Sequence, residues 1–185
     1  MKKFGLLLCA AIIGMTVVSC GSSKKVAAND GEEKACAQCM STKQALRAEG
    51  SFLAAYENQV PKAKQAAANN ARQELARMMQ VVVESVIEDY SSTYIDGDAQ
   101  DFRQSLKELS RTVVNQTVKG AVPAIPGWSE KMKSGTMYYV CLEVNADNLV
   151  EEINQKVSAD SKLRTDFEYE KFKQVFDKEM DKLAE

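Results

Sequence analysis

The chain has no histidine and a single tryptophan in 185 residues. Without imidazole, any catalytic scheme loses the commonest general base and the commonest metal ligand. There is no GxSxG, no phosphate-binding glycine loop and no HExxH, so the local signatures of several large enzyme classes are missing. Charge is nearly balanced, 24 basic against 26 acidic residues. No basic stripe is interleaved with aromatics, which argues against nucleic acid as a partner. The longest apolar run, Phe4–Val18, is too short to cross a bilayer comfortably. No catalytic residue, metal-ligand set or cofactor motif is singled out, and the expectation is a protein that is not an enzyme.

The N-terminus carries a clear instruction. Lys2 and Lys3 precede Phe4–Val18, and Val17-Val18-Ser19-Cys20 follows with small residues before a cysteine. The order is that of a signal peptide, and with Cys20 followed by Gly21-Ser22-Ser23 it resembles a bacterial lipoprotein signal. That resemblance implies cleavage before Cys20 and acylation of Cys20 (palmitate among the chains), with a mature net charge near −4 once Lys2 and Lys3 are gone. Each buried methylene contributes ~0.8 kcal/mol, so two or three acyl chains make a lasting lipid anchor. Glycine rather than aspartate after Cys20 favours, by the same resemblance, the outer membrane. No acidic run follows, so the periplasmic side of the cell envelope is expected. The competing reading is an ordinary signal peptide with an ordinary Cys20.

Residues 1–19 are therefore expected to be signal peptide and 20–45 a lipidated flexible tether. Residues 46–185 are expected to form one α+β domain with a C-terminal helical extension. Gly21–Lys34 is small, polar and without apolar period, as a flexible segment should be. Cys36-Ala37-Gln38-Cys39 then stands out. Two cysteines at this spacing could form a disulfide acting as a thiol switch. They could also be half of a zinc site completed by Cys141 and carboxylates, or a tether disulfide with no catalytic role. The motif leaves a polar linker rather than a strand, so the inert reading is favoured. Cys141 is expected to act as a small apolar residue.

The chain is organised around Val60–Tyr90. Pro61 suits a first helical turn. Ala63, Ala67, Ala71, Leu75, Met79, Val82, Val86 and Tyr90 share one helical face, and the alanine half should let a sheet approach closely. Leu46–Tyr56, with Gly50, reads as a first strand. Ser91–Thr93 and Asp96–Asp98 read as a loop. Asp98 is the expected cap of a second helix bearing Phe102, Leu106, Leu109 and Val113 on its inner face. The β-branched run from Thr112 to Val118 suggests a change to strand before Gly120. Pro123 and Pro126 point to an edge or bulged strand, Trp128 to a core or edge anchor rather than a ligand-stacking residue, and Lys131–Gly135 to a hairpin turn.

Thr136–Val144 alternates as a strand should, with Tyr138, Val140, Leu142 and Val144 facing the long helix. Glu143, on the other face, reads as a surface residue. Asp147 is the expected cap of a helix with Leu149, Val150, Ile153 and Val157 inward. Leu163–Leu183 closes the chain as an amphipathic helix, and its Phe167, Phe172 and Phe176 could serve self-association if exposed.

Gly50, Ala71-Arg72-Gln73-Glu74-Leu75-Ala76, Lys119-Gly120-Ala121, Trp128 and Thr136-Met137-Tyr138-Tyr139-Val140-Cys141-Leu142 together resemble the small bacterial outer-membrane lipoproteins of roughly twenty kilodaltons, the Lpp-twenty type, over Leu46–Val144. The resemblance implies a tethered α+β domain whose small antiparallel sheet of about three strands packs on the alanine-rich helix. It carries no catalytic residues. The function expected is a structural or binding module, its partners the membrane through the lipid and an envelope protein or a second copy. The alternative is a thiol-redox protein using Cys36 and Cys39. A carboxylate hydrolase of cell-wall material comes last, since no acidic pair is marked out by spacing.

Overall fold

The computed structural model describes residues 39–95 and 99–184; Cys20 and Cys36 lie outside them. The central element is the long helix, Val60–Tyr94 (α1), with Pro61 in its first turn. All eight apolar positions expected on its inner face are buried. Four antiparallel strands pack beside it: β1 Ala45–Ala54, β2 Val122–Pro123, β3 Trp128–Met132 and β4 Gly135–Asn145. β4 is central. β1 pairs along one edge, with Leu46 opposite Val144, Ala48 opposite Leu142 and Phe52 opposite Tyr138. β2 and β3 lie end to end on the other edge, with Val122 opposite Glu143 and Trp128 opposite Tyr139. The sheet is thus three strands wide, and the proline-bearing stretch interrupts its edge as Pro123 and Pro126 require. Gly135, in the hairpin, has φ +144°, a backbone state suited to glycine.

Leu46, Ala48, Leu142 and Val144 form one buried sheet face in the same core as Ala71, Leu75 and Met79. Three further helices complete that core: α2 Gln100–Thr117, α3 Ala146–Ala159 and α4 Tyr169–Leu183. Leu106, Val113, Leu149, Val150, Ile153 and Val157 are buried as their spacing required. The last helix is not an appendage. Phe172 and Phe176 are 0% and 1% exposed and Phe167 packs against the same core, so that aromatic stripe is closed to a partner.

Several local expectations give way to packing. Ser91–Thr93 does not break α1, because Tyr94 continues the turn and packs on Tyr90 with ring centroids 5.6 Å apart. Thr112–Thr117 stays helical despite its β-branched composition. Val113 and Val114 are buried in the core and the Thr117 hydroxyl donates back to the Val113 carbonyl at 2.9 Å. Tertiary burial outweighs a propensity of a few tenths of a kcal/mol per residue. The α2 N-cap position is Ala99, without a side-chain cap bond, and Asp98 lies outside the described residues. α3 is capped by Asn145, which accepts from the Asn148 amide at 2.9 Å. Asp147 falls instead in the first turn, where it complements the helix dipole and binds Lys173. The closing helix begins at Tyr169 rather than Leu163. The Asp160 carboxylate accepts from the Lys162 and Leu163 amides and organises a turn first.

Residues just before β1 are fastened rather than free. Ser41 Oγ donates to the Arg47 carbonyl and accepts from its amide, Thr42 bridges to Ala45, and Lys43 pairs with Asp181 of α4.

Candidate functional site

Side chains alternate across a strand, so the residues between those facing α1 line the outer face of the sheet. Arg47 stands opposite Glu143, Glu49 opposite Cys141, Ser51 opposite Tyr139 and Leu53 opposite Met137. This face holds most of the chemistry the sequence singled out. Cys141 is fully buried and bonded to Cys39, with Cα atoms 5.7 Å apart and a sequence separation of 102. Cys141 is therefore not a free apolar thiol. Cys39 is not available to Cys36 while this bond exists, since each sulfur takes one disulfide partner. The bond also occupies two of the three thiols a zinc site would have needed.

Next to the disulfide, Arg47 Nε lies 2.8 Å from Glu143 Oε2. Glu143, expected as a simple surface residue, is a half-buried partner in a cross-strand ion pair. Burial pushes the Glu49 carboxyl above its ordinary range. Steric access favours attack at Cys39, which is half-buried where Cys141 is fully buried.

Trp128 is the edge anchor expected. Its ring stacks on Tyr139 with centroids 5.2 Å apart and planes 5° from parallel. The Tyr139 hydroxyl donates to Glu130 at 3.2 Å. The stack joins β3 to β4, and its planar geometry is the reason a ligand-stacking role is not needed to account for the residue.

A second constellation escaped the sequence reading. The Tyr90 hydroxyl accepts from the Glu168 amide at 2.8 Å and donates to the Asp166 carbonyl at 3.3 Å. Its ring touches Tyr94, Phe102, Phe167 and Phe172. Burial pushes this phenol upward from its ordinary pKa. The group pins the turn before α4 to the end of α1, so its role is structural. On the flank, Glu88 of α1 pairs with Arg103 and Lys107 of α2, and the Lys107 hydrogen bond holds the Glu88 carboxyl below its usual range. An open groove between α2 and the Asp160–Asp166 turn, lined by Phe102, Ser105, Glu108 and Lys162, has a volume near 550 Å³.

Among the described residues, no group of three or more cysteines or carboxylates is placed to hold a metal ion, and no helix is long and apolar enough to cross a membrane. One signal could have found the Cys141 partner. With Cys9 expected in a signal peptide and Cys20 expected to be acylated, three cysteines remain, so a single disulfide can include Cys141 and leave one thiol over. Compared with family models, curated proteins and solved structures, the chain matches none.

Proposed function

We propose that this protein is an envelope lipoprotein, anchored through Cys20 to the outer membrane on its periplasmic side, whose domain is a non-enzymatic structural or binding module. The observation that carries the reading is the Cys39–Cys141 bond joined to the signal at Val17–Cys20. Disulfides persist in oxidising compartments outside the cytoplasm, which is where such a signal would deliver the chain. The resemblance to the twenty-kilodalton outer-membrane lipoproteins supports the same placement, with residues before β1 linking anchor to domain.

The test is the intact mass of the protein recovered from membranes, beside Cys20→Ala. A mass corresponding to cleavage before Cys20 plus acyl chains, absent in the variant, is expected. An unacylated mass or a retained N-terminus overturns the reading.

The thiol-redox alternative has one observation in its favour: the disulfide at Cys39 gives the neighbouring Cys36 an acceptor. A Cys36 thiolate attacking Cys39 Sγ would form Cys36–Cys39 and release Cys141 as thiolate, with no net oxidation. Non-reducing peptide maps distinguish the two pairings. A map showing Cys39–Cys141 alone across a glutathione titration eliminates the alternative.

A further inference from the structure

At one end of the domain, three segments come together. The β3–β4 hairpin closes through Met132 and Gly135, and Gly135 lies against the backbone of Ala54 and Ala55 at the end of β1. The chain then passes through Tyr56 into α1, whose Lys64 ammonium sits 5.5 Å over the Tyr138 ring beside Phe52. Three large apolar side chains are exposed here: Tyr56 at 71%, Phe52 at 42% and Met132 at 40%. They lie on two segments, Phe52 and Tyr56 in and just beyond β1 and Met132 in the hairpin.

The charge at this end is mostly positive. Lys62, Lys64, Lys131 and Lys133 are all exposed, and among the described residues none of them takes part in an ion pair. The carboxylates of these stretches are Glu57 and Glu130, and Glu130 is turned to the Tyr139 hydroxyl on the outer sheet face. A net positive end thus stands on a chain whose net charge is −2. Elsewhere on the domain, lysines 43, 107, 171, 173 and 182 each have a carboxylate beside them, while the exposed lysines 119, 156, 162 and 178 are spread over other surfaces rather than gathered at one end.

From this geometry we propose that the hairpin end docks on an anionic phospholipid surface. Aromatic rings and methionine can enter the headgroup boundary singly. Lysine stems reach along apolar surface while their ammonium groups stay with the phosphates. Each lysine near such a surface is drawn to it, an attraction that falls off within a Debye length. The inference rests on the membrane-anchored reading for proximity, because a lipid at Cys20 keeps the bilayer within reach and makes weak contacts count. The chemistry of the hairpin end does not depend on it.

The experiment uses the full chain carrying Met132→Trp, mixed with vesicles of brominated phosphatidylcholine, or of equal parts brominated phosphatidylcholine and phosphatidylglycerol. Wild-type protein supplies the Trp128 background. Quenching of the introduced indole on the anionic vesicles only is expected. Adding Lys131→Glu and Lys133→Glu should weaken it about tenfold or more, as should raising the salt to ~1 M. All three positions are exposed, and unchanged thermal melts keep the comparison to docking. No quenching, equal quenching on both vesicles, or indifference to the charge reversal overturns the proposal. The intact mass of the same preparation reports the anchor separately, so failure of the anchor and failure of docking are read apart.

Discussion

Gly50 of β1 and Ala71 of α1 meet backbone to backbone: a Cβ on Gly50 would lie 2.1 Å from the Ala71 amide nitrogen and 2.3 Å from the Ala67 carbonyl oxygen. The alanine half of the helix is what permits this approach, since a larger side chain at 67 or 71 would hold the sheet away. Neither side of the contact can yield by rotating a side chain. Gly50→Ala is therefore expected to destabilise by about 3 kcal/mol or more, above the ordinary cost of overpacking. Chemical unfolding measures it; a loss under about 1 kcal/mol would show that α1 can slide off β1.

Leu142 is 2% exposed, opposite Ala48 on the face that meets α1. Leu142→Ala removes its contacts and leaves a cavity, and should cost ~2–5 kcal/mol. The same unfolding titration checks it. A cost near zero would mean the strand faces the other way.

The Cys39–Cys141 bond closes a loop with a sequence separation of 102 residues. Cys39→Ala, or reduction of the native protein, should cost ~2–4 kcal/mol, chiefly by freeing the unfolded chain. Equal losses by the two routes identify this bond as the cause. Reduction that destabilises Cys39→Ala further would place another disulfide in the chain.

Tyr90 predicts an alkaline dependence. Its phenol is neutral in the fold and its pKa is raised by burial, so folding favours the protonated form. The contribution is complete below the unfolded value of about 10 and is lost as pH rises through the folded value. Tyr90→Phe should cost ~1 kcal/mol at neutral pH through the lost bonds to Asp166 and Glu168. The gap between the two proteins should narrow above pH 10, read by thermal melts across pH. A constant gap would remove the phenol from the pH response.

The amino-acid sequence by itself determined the period of each main element. The Ala63–Tyr90 stripe, the Tyr138–Val144 alternation and the Leu149–Val157 stripe all follow from spacing, because burial of one face selects a residue pattern that neighbours along the chain display. It also marked Gly135 and the interrupted edge at Pro123, where backbone chemistry is local. Tertiary structure decided the rest. Val113–Thr117 is helical because its valines reach the core, which propensity cannot foresee. Asn145 rather than Asp147 caps α3 because the end of β4 sets where the helix begins. Cys39 meets Cys141 because the segment before β1 is held against β4, and the Tyr90 hydroxyl meets Glu168 because α4 packs on α1. These pairings join residues tens of positions apart, and only the folded register brings them together.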